Sequence, residues 1–229
     1  MIPLRDTIRS RHFPVMTWLI LIANGLVFFY ELGLSSGELN GFIDTFALVP
    51  GTLRSDPPRF AITMFTSMFM HAGWFHVLSN MWILFIFGDN VEDRMGSIPF
   101  LIFYLLSGVA AALMETFFIA GSSVPVLGAS GAIAGVLGAY IFLYPTARVV
   151  TLVPIIFFFT VINVPAIVYL GFWFVSQLYS GLASIGAAAG GVAWWAHIGG
   201  FLVGLVLAPF FARRPPPSPE NLNYYATRR

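Results

Sequence analysis

The chain has 229 residues, of which 58% are hydrophobic, 17% aromatic and only 9% charged, with a formal net charge of +1. A soluble domain averages roughly 45–50% apolar and about 25% charged residues, so a water-covered globule is excluded, and a disordered chain, polar and poor in aromatics, is excluded with it. The near-zero charge excludes a nucleic-acid partner, the absence of cysteine removes disulfides and thiol chemistry, and the solvent for most of the chain is the lipid bilayer.

In chain order, residues 1–14 read as a cytoplasmic N-terminal segment carrying Arg5, Arg9 and Arg11. The apolar run behind them is too long for a signal-peptide core and has no small-residue cleavage site, so 15–34 is a first span. Residues 35–66 form a long loop with Pro50, Pro57 and Pro58. Its apolar stretch at 46–49 predicts structure at the membrane interface. A second span covers 70–87, a third 98–119 and a fourth 128–144. The 14 residues 149–162 reach only about 21 Å as a helix, short of a ~30 Å hydrocarbon core. They are assigned to the interface, and a fifth span follows the Asn163-Val164-Pro165 break at 165–178. A Gly/Ala-rich loop at 181–191, a lid candidate, precedes a sixth span at 192–211. The six-span domain is therefore 15–211, with a Pro-rich cytoplasmic tail at 212–229. Arginine sets the orientation. Nine (Arg5, Arg9, Arg11, Arg94, Arg148, Arg213, Arg214, Arg228, Arg229) fall on one side and two (Arg54, Arg59) on the other, which puts both termini in the cytoplasm.

Polar groups inside a bilayer are costly and functional by default. Here they gather at three helix starts that this topology places on the outer side: His71, His76 and Asn80 in span two, Ser130 in span four, His197 in span six. Three of the four histidines of the chain belong to this set. Small residues repeat every fourth position, as Ser130, Ala134, Gly138 and Gly131, Gly135, Ala139 in span four and Ala196, Gly200, Gly204, Ala208 in span six. Such rows let membrane helices approach closely. Close approach of these two spans brings a hydroxyl to an imidazole, a nucleophile beside its base. His76 and Asn80 share a helical face and, with the Ser130 backbone N–H, form an oxyanion-hole candidate. Glu115 reads as a buried hydrogen-bond partner, and 89–94 as a solvated turn.

These residues resemble the rhomboid intramembrane serine proteases. The resemblance rests on His71-x4-His76-x3-Asn80, on Gly128-Ala129-Ser130-Gly131 and on Ala196-His197-x2-Gly200-x3-Gly204, with Val91-Glu92-x-Arg94-x-Gly96 as a further signature. It runs from about residue 65 to 207. It implies an all-α, six-transmembrane-helix rhomboid-like bundle with an outward-open polar active-site cavity. It implies a catalytic dyad of Ser130 and His197, an oxyanion hole from His76 and Asn80, and structural support from His71, Glu92, Arg94, Gly128, Gly131, Gly200 and Gly204, with no cofactor and no metal. The implied activity is cleavage of the transmembrane segments of other membrane proteins, single- or multi-span, in a bacterial inner membrane; the alternative is a catalytically inactive relative that binds membrane proteins. Two features depart from some members: Ala134 stands where an aromatic packs on the catalytic histidine, and no Trp-Arg pair occurs in the first loop.

Overall fold

The computed structural model describes residues 1–155, 158–185 and 191–213. The tail at 214–229 and the centre of the proposed lid, 186–190, lie outside the described residues. Six apolar helices occupy the six expected segments: α1 (Val15–Leu32), α5 (Trp74–Met95), α6 (Ser97–Phe118), α7 (Ser130–Leu143), α8 (Ala166–Ala183) and α9 (Trp194–Phe211). Among the described residues α1, α6, α8 and α9 are each long and apolar enough to cross a membrane alone. Helix α5 passes that test together with α4 (Pro57–Thr66) and the 3-10 turn behind it, as a pair bent by 82°. The chain is thus a mostly helical membrane bundle.

Helix α7 is the shortest of the six, at 14 residues. About 21 Å of helix does not span a bilayer core, and α7 does not face one. Every residue from Gly131 to Tyr140 is buried, enclosed by α5, α6 and α9. Its glycines make that enclosure tight. A Cβ on Gly200 or Gly204 of α9 would collide with the Gly131 or Gly135 carbonyl oxygen of α7, and one on Gly131 would sit 2.6 Å from Ala111 Cβ of α6. Ser130 is the first residue of this enclosed helix.

The long loop contains three helices, α2 (Ser36–Phe46), α3 (Thr52–Ser55) and α4. Their starts are written in the sequence. Ser35 donates its backbone N–H (2.9 Å) and hydroxyl (2.6 Å) to the Glu38 carboxylate in a capping box, contacts that lower the Glu38 pKa. Asp56 accepts the Arg59 N–H ahead of Pro57, at the first turn of α4.

Beside the bundle stands one three-stranded antiparallel sheet, β1 (Ile2–Asp6), β2 (Arg148–Ile155) and β3 (Phe158–Pro165), in that order. Residues 149–155 and 158–162, expected as part of an interfacial stretch, thus lie in two paired antiparallel strands, and residues 1–14 contribute the neighbouring strand. In register, Ile2 faces Leu152, Asp6 faces Val149 and Arg148 faces Pro165. Val149, Val150, Thr151 and Val153 are β-branched and favour this geometry.

Candidate active site

The starts of α5, α7 and α9 surround a cavity of about 1010 Å³ lined by His76, Asn80, Ser130 and His197, with Glu115 and Trp195 among its other walls. In its lining Ser130 Oγ lies 2.8 Å from His197 Nε2. The glycine contacts of α7 and α9 account for that distance. Two helices whose backbones touch bring a short hydroxyl and an imidazole from adjoining rows into hydrogen-bond range.

The other ring nitrogen, His197 Nδ1, is 2.8 Å from Gln177 Oε1 of α8. The Gln177 amide nitrogen donates to Trp173 O (3.3 Å) and lies 3.0 Å from Ser176 Oγ, which leaves its oxygen for the imidazole. Nδ1 is therefore the protonated nitrogen, and the Nε2 lone pair faces the serine. The Trp173 ring lies 5.9 Å from the His197 ring at 34°, and the Trp194 ring 6.2 Å away, edge-on. With Ala134 in α7, the aromatic contacts of His197 come from α8 and from its own helix. Sequence reasoning did not find Gln177. The available signal was a strongly polar amide inside an otherwise apolar span, the kind of residue that is functional by default.

His76 and Asn80 lie one turn apart on α5, with Asn80 Nδ2 donating to His76 O at 3.0 Å. Gly128 binds this corner together. Its φ of +128° is in the region that favours glycine, and a Cβ there would lie 2.6 Å from His76 Nε2. The same virtual atom is 3.7 Å from Ser130 Oγ, so the His76 ring points at the mouth of the Ser130 turn. The Ser130 N–H belongs to the first turn of α7, where backbone donors have no intrahelical partner. His71 packs its ring 5.0 Å from that of His76, and its backbone N–H donates to Glu31 Oε2 at 3.2 Å. Glu115 accepts the Ala196 N–H at 2.8 Å, anchoring the start of α9 that carries His197.

Glu92 and Arg94 lie at the far end of α5, away from the cavity. The Glu92 carboxylate accepts from the Met16 N–H (3.0 Å), the Thr17 N–H and hydroxyl (both 2.8 Å) and the Ser97 hydroxyl (2.6 Å). It supplies the missing partners at the start of α1. Arg94 donates to Leu143 O at 3.1 Å, closing the end of α7, with its guanidinium 5.6 Å from the Tyr144 ring centre. The turn read as solvated is thus a buried clamp. Among the described residues no group of three or more His, Asp or Glu side chains is arranged as a metal ion requires.

A Rhomboid domain family model matches residues 59–214. RHOMBOID-like protein 6, mitochondrial, of Arabidopsis thaliana is 30% identical over 155 residues, which is 66% of this chain and 44% of that protein. Rhomboid protein 1, mitochondrial, of Saccharomyces cerevisiae is 28% identical over 70% of the chain and 45% of its own length. Rhomboid protease GluP of Bacillus subtilis is 31% identical over 179 residues, 78% of this chain and 34% of that protein. The chain spans less than half the length of each of these relatives. The matched region holds every cavity group named above, from His76 on α5 to His197 on α9, and the chain belongs to the rhomboid family.

Proposed function

We propose that the protein is an intramembrane serine endopeptidase that cleaves membrane-embedded segments of other proteins. The observation that carries this reading is the relay Ser130 Oγ–His197 Nε2–Gln177 Oε1, with 2.8 Å at each step, on the wall of a cavity with room for a polypeptide segment. A binding protein has no use for an aligned hydroxyl and imidazole.

Ser130 Oγ attacks the scissile carbonyl carbon while His197 Nε2 takes the hydroxyl proton. The carbonyl oxygen becomes an oxyanion, held by the Ser130 N–H, His76 and Asn80. The C–N bond then breaks as His197 returns the proton to the leaving amine. Water entering the cavity attacks the acyl-enzyme, His197 takes its proton, and the acid product leaves with Ser130 restored. Irregular backbone around such a cavity is tolerated at membrane depth because it borders protein and water. The arginine asymmetry supports termini in the cytoplasm and a cavity open to the outside, in a bacterial cell membrane.

A fluorophosphonate probe labels wild type in this reading, and Ser130→Ala loses both labelling and cleavage of a model transmembrane substrate. His197→Ala loses nearly all activity while remaining folded. Cleavage that survives Ser130→Ala and is inhibited by chelators overturns the reading in favour of a metal mechanism. A folded protein that neither labels nor cleaves any membrane substrate supports the inactive binding relative.

A further inference from the structure

We propose that the β2–β3 hairpin stands in the hydrocarbon of the bilayer, and that lipid acyl chains cover its apolar faces.

Charge is the first observation. Beyond Arg148 at its base, the hairpin sequence 149–165 has no ionisable side chain. Exposure is the second. Ile155, Phe158, Phe159, Val161 and Ile162 are all exposed, Phe158 at 78% and Phe159 at 72%. Neighbouring strand positions point to opposite faces, so Phe158 and Phe159 expose one aromatic ring on each side of the sheet. A half-buried sheet in water alternates apolar and polar, and an exposed apolar edge strand invites aggregation. An apolar strand exposed on both faces is matched to an apolar solvent.

Depth is the third observation. Trp82 Nε1 donates to Pro3 O of β1 at 2.7 Å. Trp82 lies eight residues into α5, about 12 Å from the helix start and well before its far end at Met95. Asp6 at the other end of β1 accepts from Asn90 Nδ2 (2.8 Å) and from the Tyr140 hydroxyl, close to where α5 and α7 finish. Strand β1 therefore climbs along α5 from its end towards its middle. Strand β2 runs antiparallel beside it, and carries the hairpin to membrane depth rather than away from it. At its base the hairpin continues into α8, whose exposed Ile167, Val168 and Phe172 belong to the lipid-facing surface of the bundle.

Free sheet edges are costly in hydrocarbon, and four edge groups of this sheet are accounted for. Pro3 and Pro165 have no N–H to leave unpaired. The Pro3 carbonyl is taken by Trp82, and Asn163 O accepts from the Arg148 guanidinium at 3.4 Å.

The chain has no native cysteine, so single labels report cleanly. Phe159→Cys and Ile162→Cys, on opposite faces, are spin-labelled in the full-length protein reconstituted in phosphatidylcholine vesicles. Ser36→Cys, on the exposed start of α2, serves as the water reference. The expected result is collision with dissolved oxygen in excess of a water-soluble nickel chelate at both hairpin positions, and the reverse at Ser36. Nickel access at 159 and 162 equal to that at Ser36 overturns the proposal. Dipolar broadening between labels, or shielding from both reagents, also overturns it, by showing a second copy or another protein in place of lipid. None of these readouts depends on catalysis.

Discussion

With its Nδ1 hydrogen held by Gln177 Oε1, His197 presents a lone pair to Ser130 and loses the freedom to rotate away from it. Gln177 touches no reacting atom, so it is a positioning residue. A hydrogen bond to a group that becomes charged contributes about 1.5–3 kcal/mol, or about 10–10²-fold in rate. Gln177→Leu is therefore expected to lower kcat by about that factor with little change in KM. Gln177→Glu restores an acceptor and adds a negative charge that favours the imidazolium. The reaction needs neutral His197, so the acid limb of its pH–rate profile moves to higher pH, a shift that a packing role alone does not produce. In the proposed mechanism His76 and Asn80 act at a different moment, when the oxyanion forms. Removing one such donor typically costs about 10²–10³ in kcat. His76→Ala and Asn80→Ala are each expected to show that loss in kcat rather than KM, with probe labelling of Ser130 still detectable. Normal kcat in a thermally weakened protein would assign the pair to helix packing. The polar groups of the candidate site are legible in the sequence because a hydroxyl, an amide and three imidazoles have no cheap place in lipid. Gln177 was equally visible as a residue, but its partner lies twenty positions away on another helix, and no local spacing announces that pairing.

Helices α7 and α9 owe their contact to absent side chains. Gly204→Ala is expected to push its new Cβ into the Gly135 backbone, at about 1–3 kcal/mol of overpacking, and to widen the Ser130–His197 gap. The readouts are a lower unfolding temperature in detergent and a loss of cleavage. Gly171→Ala in α8, where a Cβ meets nothing within 4 Å, leaves both unchanged. These small-residue rows were readable because their four-residue period is local. So were the capped helices of the long loop, whose Ser35-x-x-Glu38 and Asp56-Pro57 starts follow simple stereochemistry. The sheet was not readable. Residues 149–162 are too short to span as a helix, and one of the two partners of β2 is β1, nearly 150 positions earlier in the chain. The register against β1 is set by long-range pairing, which a window of sequence does not contain.

Across the whole molecule, the side opposite the cavity is tied shut. Glu92 joins α5 to α1, Arg94 joins α5 to α7, and Arg213 donates its N–H to Arg94 O beyond α9. In the proposed topology the arginine bias puts this tied side in the cytoplasm. A reporter active only outside the cell, fused after Arg229, is accordingly expected to stay silent, and a strong signal would place the cavity on the wrong face. Helix α8 stands apart from these ties. Its main packing is on α9, and no extensive contact joins it to α5 among the described residues. Yet it carries Gln177, whose Oε1 holds the Nδ1 side of the imidazole. Any outward swing of α8 draws the glutamine off His197, so widening that flank and keeping the base aligned are mutually exclusive. Under the proposed mechanism the contact would act as a safety interlock, with the base aligned only while α8 stays packed against α9.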